Sequence, residues 1–135
     1  MMKSSVVCKR LENYQVLVQA REHSWVGDEP PDEHGDNLGS TPFEQLLGAL
    51  GCCVIITATY YVSQAGIAVE TMWLDLDDEW HGEGKDREYA IKAVLHVRGD
   101  LSDQDIQRIE RAARRCPIHR LLEQAAHIEA SVVAG

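Results

Sequence analysis

"TPFEQLLGALGCCVIITATYYVSQAG" runs from Thr41 to Gly66 and carries a single charged residue, Glu44. Thr41 offers an N-cap, Pro42 suits the first helical position, and Glu44 meets the positive end of the helix dipole. Apolar residues continue to about Ala65, and Gly66 supplies a C′ stop. The pattern predicts one long helix. Leu46, Leu50, Cys53, Thr57 and Tyr60 fall on one stripe at helical spacing. Leu47, Val54, Ile55 and Ile56 cover other faces, which predicts a central helix buried nearly all round.

Strands and further helices are read on either side. Val6–Arg10, Tyr14–Ala20 and His23–Gly27 read as strands, "YQVLVQA" having the β-branched content and alternation expected. "GDEPPDEHGDNLGST", Gly27 to Thr41, is a polar Gly/Pro/Asp loop, of a length that in a compact domain signals function or mobility. Val69–Trp80 and Arg87–Arg98 read as a long hairpin around "HGEGKD". Trp25, Trp73 and Trp80 then lie on strands as core or interface anchors. "SDQD" at Ser102 resembles a capping box and opens a helix through Arg115. "CPIHRLLEQAAH" begins another helix, with Cys116 near the N-cap and Pro117 near its first position. Ile128–Val133 reads as a final strand. The order is βββ-α-ββ-αα-β, an α+β fold in a single domain over residues 1–135.

The formal charge of −9 is spread through the chain. No basic stripe is available to displace counterions from nucleic acid, and the acidity opposes an anionic membrane surface. The opening "MMKSSVVCKRLENYQ" turns polar too early for a signal peptide. The run Leu46–Ile56 is too short and too rich in small residues to span a bilayer. A cytoplasmic location with reduced thiols is the expectation. No histidine pair has HxxxH, HxH or HExxH spacing, and there is no CxxC, so neither metal nor cofactor is expected. His23 and His34 flank the acidic loop and read as solvated.

Four cysteines remain: Cys8, Cys52, Cys53 and Cys116. A thiol becomes reactive when its thiolate is stabilised. Cys116 sits at a helix start, with His119 one turn on and Arg114, Arg115 and Arg120 close in sequence. Cys53 lies mid-helix, where no dipole end assists it, and free cysteine is commonly a core residue. Cys52 is turned about 100° away around the axis. The residues alone leave both readings open, working thiol or packing.

"GSTPFEQLLGALGCC", followed 63 positions later by "CPIHR", resembles the OsmC/Ohr family. There the pattern is close to G-P-[TN]-P-x-E-L-L-x-A-x-x-x-C, then C-P. "HSWVGDEPPDEHGDNLGST" is also similar to the H-x-x-x-DEP…GG-x-D-x-G-P stretch of OsmC-like members. The resemblance implies an intertwined homodimer with two sites at the subunit interface. It implies a thiol-dependent peroxidase for organic hydroperoxides, and in some members hydrogen peroxide. The matching residues are Cys53 as peroxidatic and Cys116 as resolving cysteine. The regenerating partner would be an external dithiol or thiol, a lipoyl protein, thioredoxin or a low-molecular-weight thiol.

Phe43 stands where Ohr-type members have a glutamate. Glu44 is about 180° and ~13 Å from Cys53 along the helix, so it reads as a first-turn dipole partner. Glu29 of "DEP" is the candidate carboxylate and Arg21 the candidate arginine, with Arg10 and Arg120 behind it. Cys52 and Cys8 read as packing and bystander. The departures place the chain nearer the OsmC-like branch. They also motivate a second reading, a redox-responsive or small-ligand-binding dimer with little peroxidase activity.

Overall fold

The computed structural model describes residues 3–124 and 128–133. The chain divides into two compact units, Met1–Gly48 and Ala49–Gly135.

In the first unit, β1 (Val7–Arg10), β2 (Val16–Ala20) and β3 (His23–Gly27) form an antiparallel meander. Cys8 pairs with Val18 and Val18 with Trp25. The β1–β2 connection closes through two backbone bonds between Leu11, Glu12 and Gln15, with Asn13 at φ 53°. That turn takes up Tyr14, so β2 begins at Val16 and not where its β-branched run alone suggests.

α1 spans Pro42–Ala65. Its start is a reciprocal cap: Thr41 Oγ1 accepts from the Glu44 N–H, and Glu44 Oε1 accepts from the Thr41 N–H. Its end is glycine-terminated. Gly66 takes φ +68°, and the Ile67 N–H reaches back to the Val62 carbonyl. By length and composition alone α1, longer than the Leu46–Ile56 run, is apolar enough to cross a bilayer. A core helix meets the same description.

The second unit contains the β4–β5 hairpin, β4 at Thr71–His81 and β5 at Glu88–Arg98. It is antiparallel from Thr71 opposite Arg98 to His81 opposite Glu88. α2 (Asp103–Ala113) and α3 (Pro117–Leu122) follow. The Ser102–Asp105 capping box is present in both directions. Burial alternates along β4, with Met72, Leu74 and Leu76 turned inward. Leu50 and Val54 of α1 and Cys116 form the buried core here, with Cys53, Leu74, Leu76, Ile91, Ala113 and Ile118 packed on it. Gly51 permits this approach: a Cβ there would lie 2.8 Å from Leu76 Cδ1.

Two expectations are corrected. α1 is not buried all round. Its buried residues are Leu50, Gly51, Val54, Ala58 and Val62, while Ile56 and Tyr60 are 62% and 68% exposed. Within one chain the helix has partners on one face only, so the apolar residues on the other remain open. The final strand at Ile128–Val133 is also absent. Neither sheet gains a further strand among the described residues, and Ile128, Val132 and Val133 are exposed. β-branched sequence forms a strand only against an edge that accepts its hydrogen bonds. The tryptophans lie on strands as read, but all three are exposed in the single chain.

Leu50→Ala should destabilise the protein by about 2–5 kcal/mol, since it deletes a buried side chain beside Val54. Urea unfolding measures this. A loss under about 1 kcal/mol would show that Leu50 does not pack as described.

Candidate functional site: two thiols in an apolar core

α1 holds Cys53 one turn beyond Leu50, half-buried against the core of the second unit. Cys116 comes from the α2–α3 junction. There the N–H groups of Arg114, Arg115 and Cys116 fold back onto Glu110, Ala112 and Ala113, turning the chain. Pro117 then opens α3, and Cys116 is its N-cap. The Cys116 Sγ accepts the His119 N–H at 3.4 Å. Cys53 packs against the buried cluster that contains Cys116. The fold thus brings together two sulfurs that are 63 positions apart in sequence. All four cysteines are free thiols, with Cys8 and Cys52 exposed.

Cys116 is fully buried, at 0% exposure. Burial pushes its thiol up, the Cys53 contact adds to this, and the N–H groups of His119 and Ile118 oppose it. At neutral pH Cys116 keeps its proton. The helix start and basic neighbours had left its state open. The cap exists, but desolvation outweighs it. The basic neighbours point elsewhere: Arg114 pairs with Glu110 at 2.8 Å, and Arg115 and Arg120 are exposed.

A groove of about 680 Å³ lies in the same unit, floored by Val54, Leu74, Ile91 and Ile109. Its rim carries the Glu110–Arg114 pair and the His119–Glu123 pair, the latter at 2.9 Å. Val54, Leu74, Ile91 and Ala113 line the groove and also pack around the thiols.

In the first unit the acidic loop is ordered by one carboxylate that the sequence reading missed. Asp28, 2% exposed, accepts from the N–H groups of Glu29 (2.7 Å), Asp36 (3.3 Å) and Leu38 (3.1 Å). Burial alone would raise its pKa, but the bonds from Leu38, Glu29 and Asp36 outweigh it and hold the carboxyl below its usual range. Gly35 and Gly39 let the loop fold this tightly, since a Cβ on either would strike the backbone of Glu29 or Val26. An aspartate leading a Pro-rich loop with several glycines was the available signal.

Glu29 lines a cleft of about 610 Å³ together with Arg10, Tyr14 and Gln45. Arg21 does not line it. It occupies the β2–β3 turn at φ 54°, with its guanidinium 3.4 Å from exposed Glu22. The arginine that shares the cleft with Glu29 is Arg10. No cluster of three or more His, Cys, Asp or Glu side chains able to hold a metal occurs among the described residues.

A family model described as OsmC-like protein matches residues 34–131, and the chain belongs to that family. No curated protein sequence matches it. Its structure is similar to that of an OsmC-like protein from Mycoplasma pneumoniae, at TM-score 0.78 and 18% identity, covering 90% of this chain and 88% of that one. An organic hydroperoxide resistance protein OsmC from Legionella pneumophila superposes at TM-score 0.71 and 11% identity, covering 90% of each chain. The organic hydroperoxide resistance protein OhrB of Bacillus subtilis does so at 0.63 and 12%, covering 88% of this chain and 89% of that one. The α+β order βββ-α-ββ-αα is therefore that of an OsmC-like fold.

The lowered Asp28 carboxyl contributes stability that is present above the unfolded pKa of about 3.9. This stability is lost as pH falls through the folded value. Asp28→Ala should therefore destabilise the protein at pH 7, and its deficit against wild type should shrink as pH falls below about 4. Urea unfolding at pH 7, 5 and 3.5 checks this; a deficit independent of pH would exclude the charge as its cause.

Proposed function

We propose that the protein is a cysteine-based peroxidase that reduces organic hydroperoxides, with hydrogen peroxide as a smaller substrate. The observation carrying this reading is that Cys53 packs against the same apolar core that buries Cys116. Cys53 is the peroxidatic residue. Its thiolate attacks the terminal peroxide oxygen, the O–O bond breaks, and the alkoxide leaves as an alcohol after taking a proton. Cys53 is then a sulfenic acid. Cys116 attacks that sulfur: an S–S bond forms, the S–O bond breaks, and the Cys116 proton leaves with the hydroxyl as water. The raised pKa of Cys116 suits this order, because the thiol keeps its proton until the leaving group needs it.

An external dithiol then returns both cysteines to thiols by two exchange steps. A lipoyl protein, thioredoxin or a small thiol has the required chemistry, and no cofactor is needed. The reading sets the protein in the cytoplasm, where such thiols are kept reduced. Leu50, Val54 and Ile118 around the sulfurs favour an alkyl-bearing substrate and limit over-oxidation. The open α1 face with Ile56 and Tyr60 supports a homodimer.

Arg21 and Glu29 are assigned as the arginine and carboxylate of the site, with Arg10 the competing arginine. The arginine that acts should, on replacement by alanine, slow the reaction with peroxide roughly 10²-fold. The other replacement should be near neutral.

A second reading, a redox-responsive or small-ligand-binding dimer, is favoured by Phe43 and by the 680 Å³ groove. Consumption of cumene hydroperoxide with excess dithiol separates the two. The peroxidase reading expects turnover that Cys53→Ser abolishes. It expects Cys116→Ser to accumulate a sulfenic acid trapped by dimedone. Full turnover in both variants overturns the mechanism, and consumption no faster than a free thiol supports the binding reading.

A further inference from the structure

The two thiols differ in access. Cys53 is half-buried and Cys116 has no exposed surface, so exchange at the Cys116 sulfur requires α3 to move. The structure around α3 bears on whether it can. α3 has only six residues, none of them buried, and a helix that short does not stand alone in water. Its attachments are the packing of Ile118 on the thiol core and the cap from Cys116 Sγ to the His119 N–H. The His119–Glu123 pair lies within the helix itself and is largely exposed, so it adds little.

The cap and the proposed disulfide use the same sulfur. A covalent bond draws two sulfurs together by more than about 1 Å relative to non-bonded contact. Cys53 sits in the middle of a 24-residue helix and has little freedom to move. Cys116 sits at the junction of two helices and moves more easily. A shift of its sulfur to bonding distance from Cys53 changes the geometry of the 3.4 Å cap to the His119 N–H.

We infer that α3 is a redox-sensitive latch: disulfide formation withdraws its N-cap, α3 loosens, and the Cys116 sulfur becomes open to an external dithiol. His119 and Glu123 belong to the rim of the 680 Å³ groove, so loosening α3 also widens that groove beside the disulfide. The latch rests on the peroxidase reading for its physiological oxidant. The hydroperoxide accepts two electrons from the two thiols and yields alcohol and water. The dithiol returns those electrons through two exchanges, and α3 closes again on the reduced Cys116.

Hydrogen exchange of the full-length protein, read on peptides covering 117–124, tests the latch. Four states are compared: reduced, treated with one equivalent of cumene hydroperoxide, treated with diamide, and reduced Cys116→Ala. Intact mass reports whether the disulfide has formed. Loss of the cap should speed exchange over 117–124 by about 2- to 30-fold in the disulfide form and in Cys116→Ala. Peptides from β4 and β5 should be unchanged, which excludes general unfolding. Reduced Cys116→Ser, which keeps an acceptor at the cap, should stay nearer wild type.

A disulfide present by mass with unchanged exchange over 117–124 overturns the latch. Should diamide but not peroxide form the disulfide, and exchange rise, the peroxidase reading fails and the latch stands. Should neither form it, the latch has no trigger and is overturned, and faster exchange in Cys116→Ala shows only that the cap holds α3.

Discussion

The Cys116 sulfur touches no water; it accepts the His119 N–H at the start of α3 and lies in the core on which Cys53 packs. This one buried group ties α1, the α2–α3 junction and α3 together. It explains why the junction turns where it does, why Pro117 follows, and why Val54, Ala113 and Ile118 close around it. A thiol tolerates such a place because it is a small, weakly polar group. A carboxylate or an amine would not. The same burial that makes Cys116 inert as a resting nucleophile preserves the proton that the resolving step requires.

The first unit is organised by a different device. Asp28 gathers three backbone N–H groups, and the acidic loop wraps around its carboxylate. What composition suggested to be a structureless loop is thus an ordered one, built on a charge-assisted anchor. Its glycines are placed where the backbone comes too close for any side chain.

Much of the fold was legible in the sequence because it rests on local chemistry. The Thr41–Glu44 cap, the Gly66 stop and the Ser102–Asp105 box are written in adjacent residues, and each is observed. The hairpin follows from alternation. Failures occurred where the answer depended on residues distant in sequence. The apolar faces of α1 predicted complete burial, yet pattern records only a preference for burial and not the presence of a partner. Ile128–Val133 has strand composition but pairs with neither sheet among the described residues. For Cys116 the adjacent residues left thiolate and packing both open, because its burial comes from α1 and β-strand residues far away in the chain. Arg21 was read as the arginine of the site; it lies on the β2–β3 turn beside Glu22, while the cleft that Glu29 lines holds Arg10. The resemblance to the OsmC/Ohr family implied Cys53 and Cys116 as a pair; their packing in one core is a property of the fold.

The central claim is that these two thiols carry out peroxide chemistry as a pair. Intact-mass analysis of the reduced protein after one equivalent of cumene hydroperoxide, followed by peptide mapping, tests it most directly. The account expects the loss of two hydrogens, about 2 Da, with the new bond mapping to Cys53–Cys116. An unchanged mass, or a disulfide that maps to Cys8 or Cys52, would contradict it.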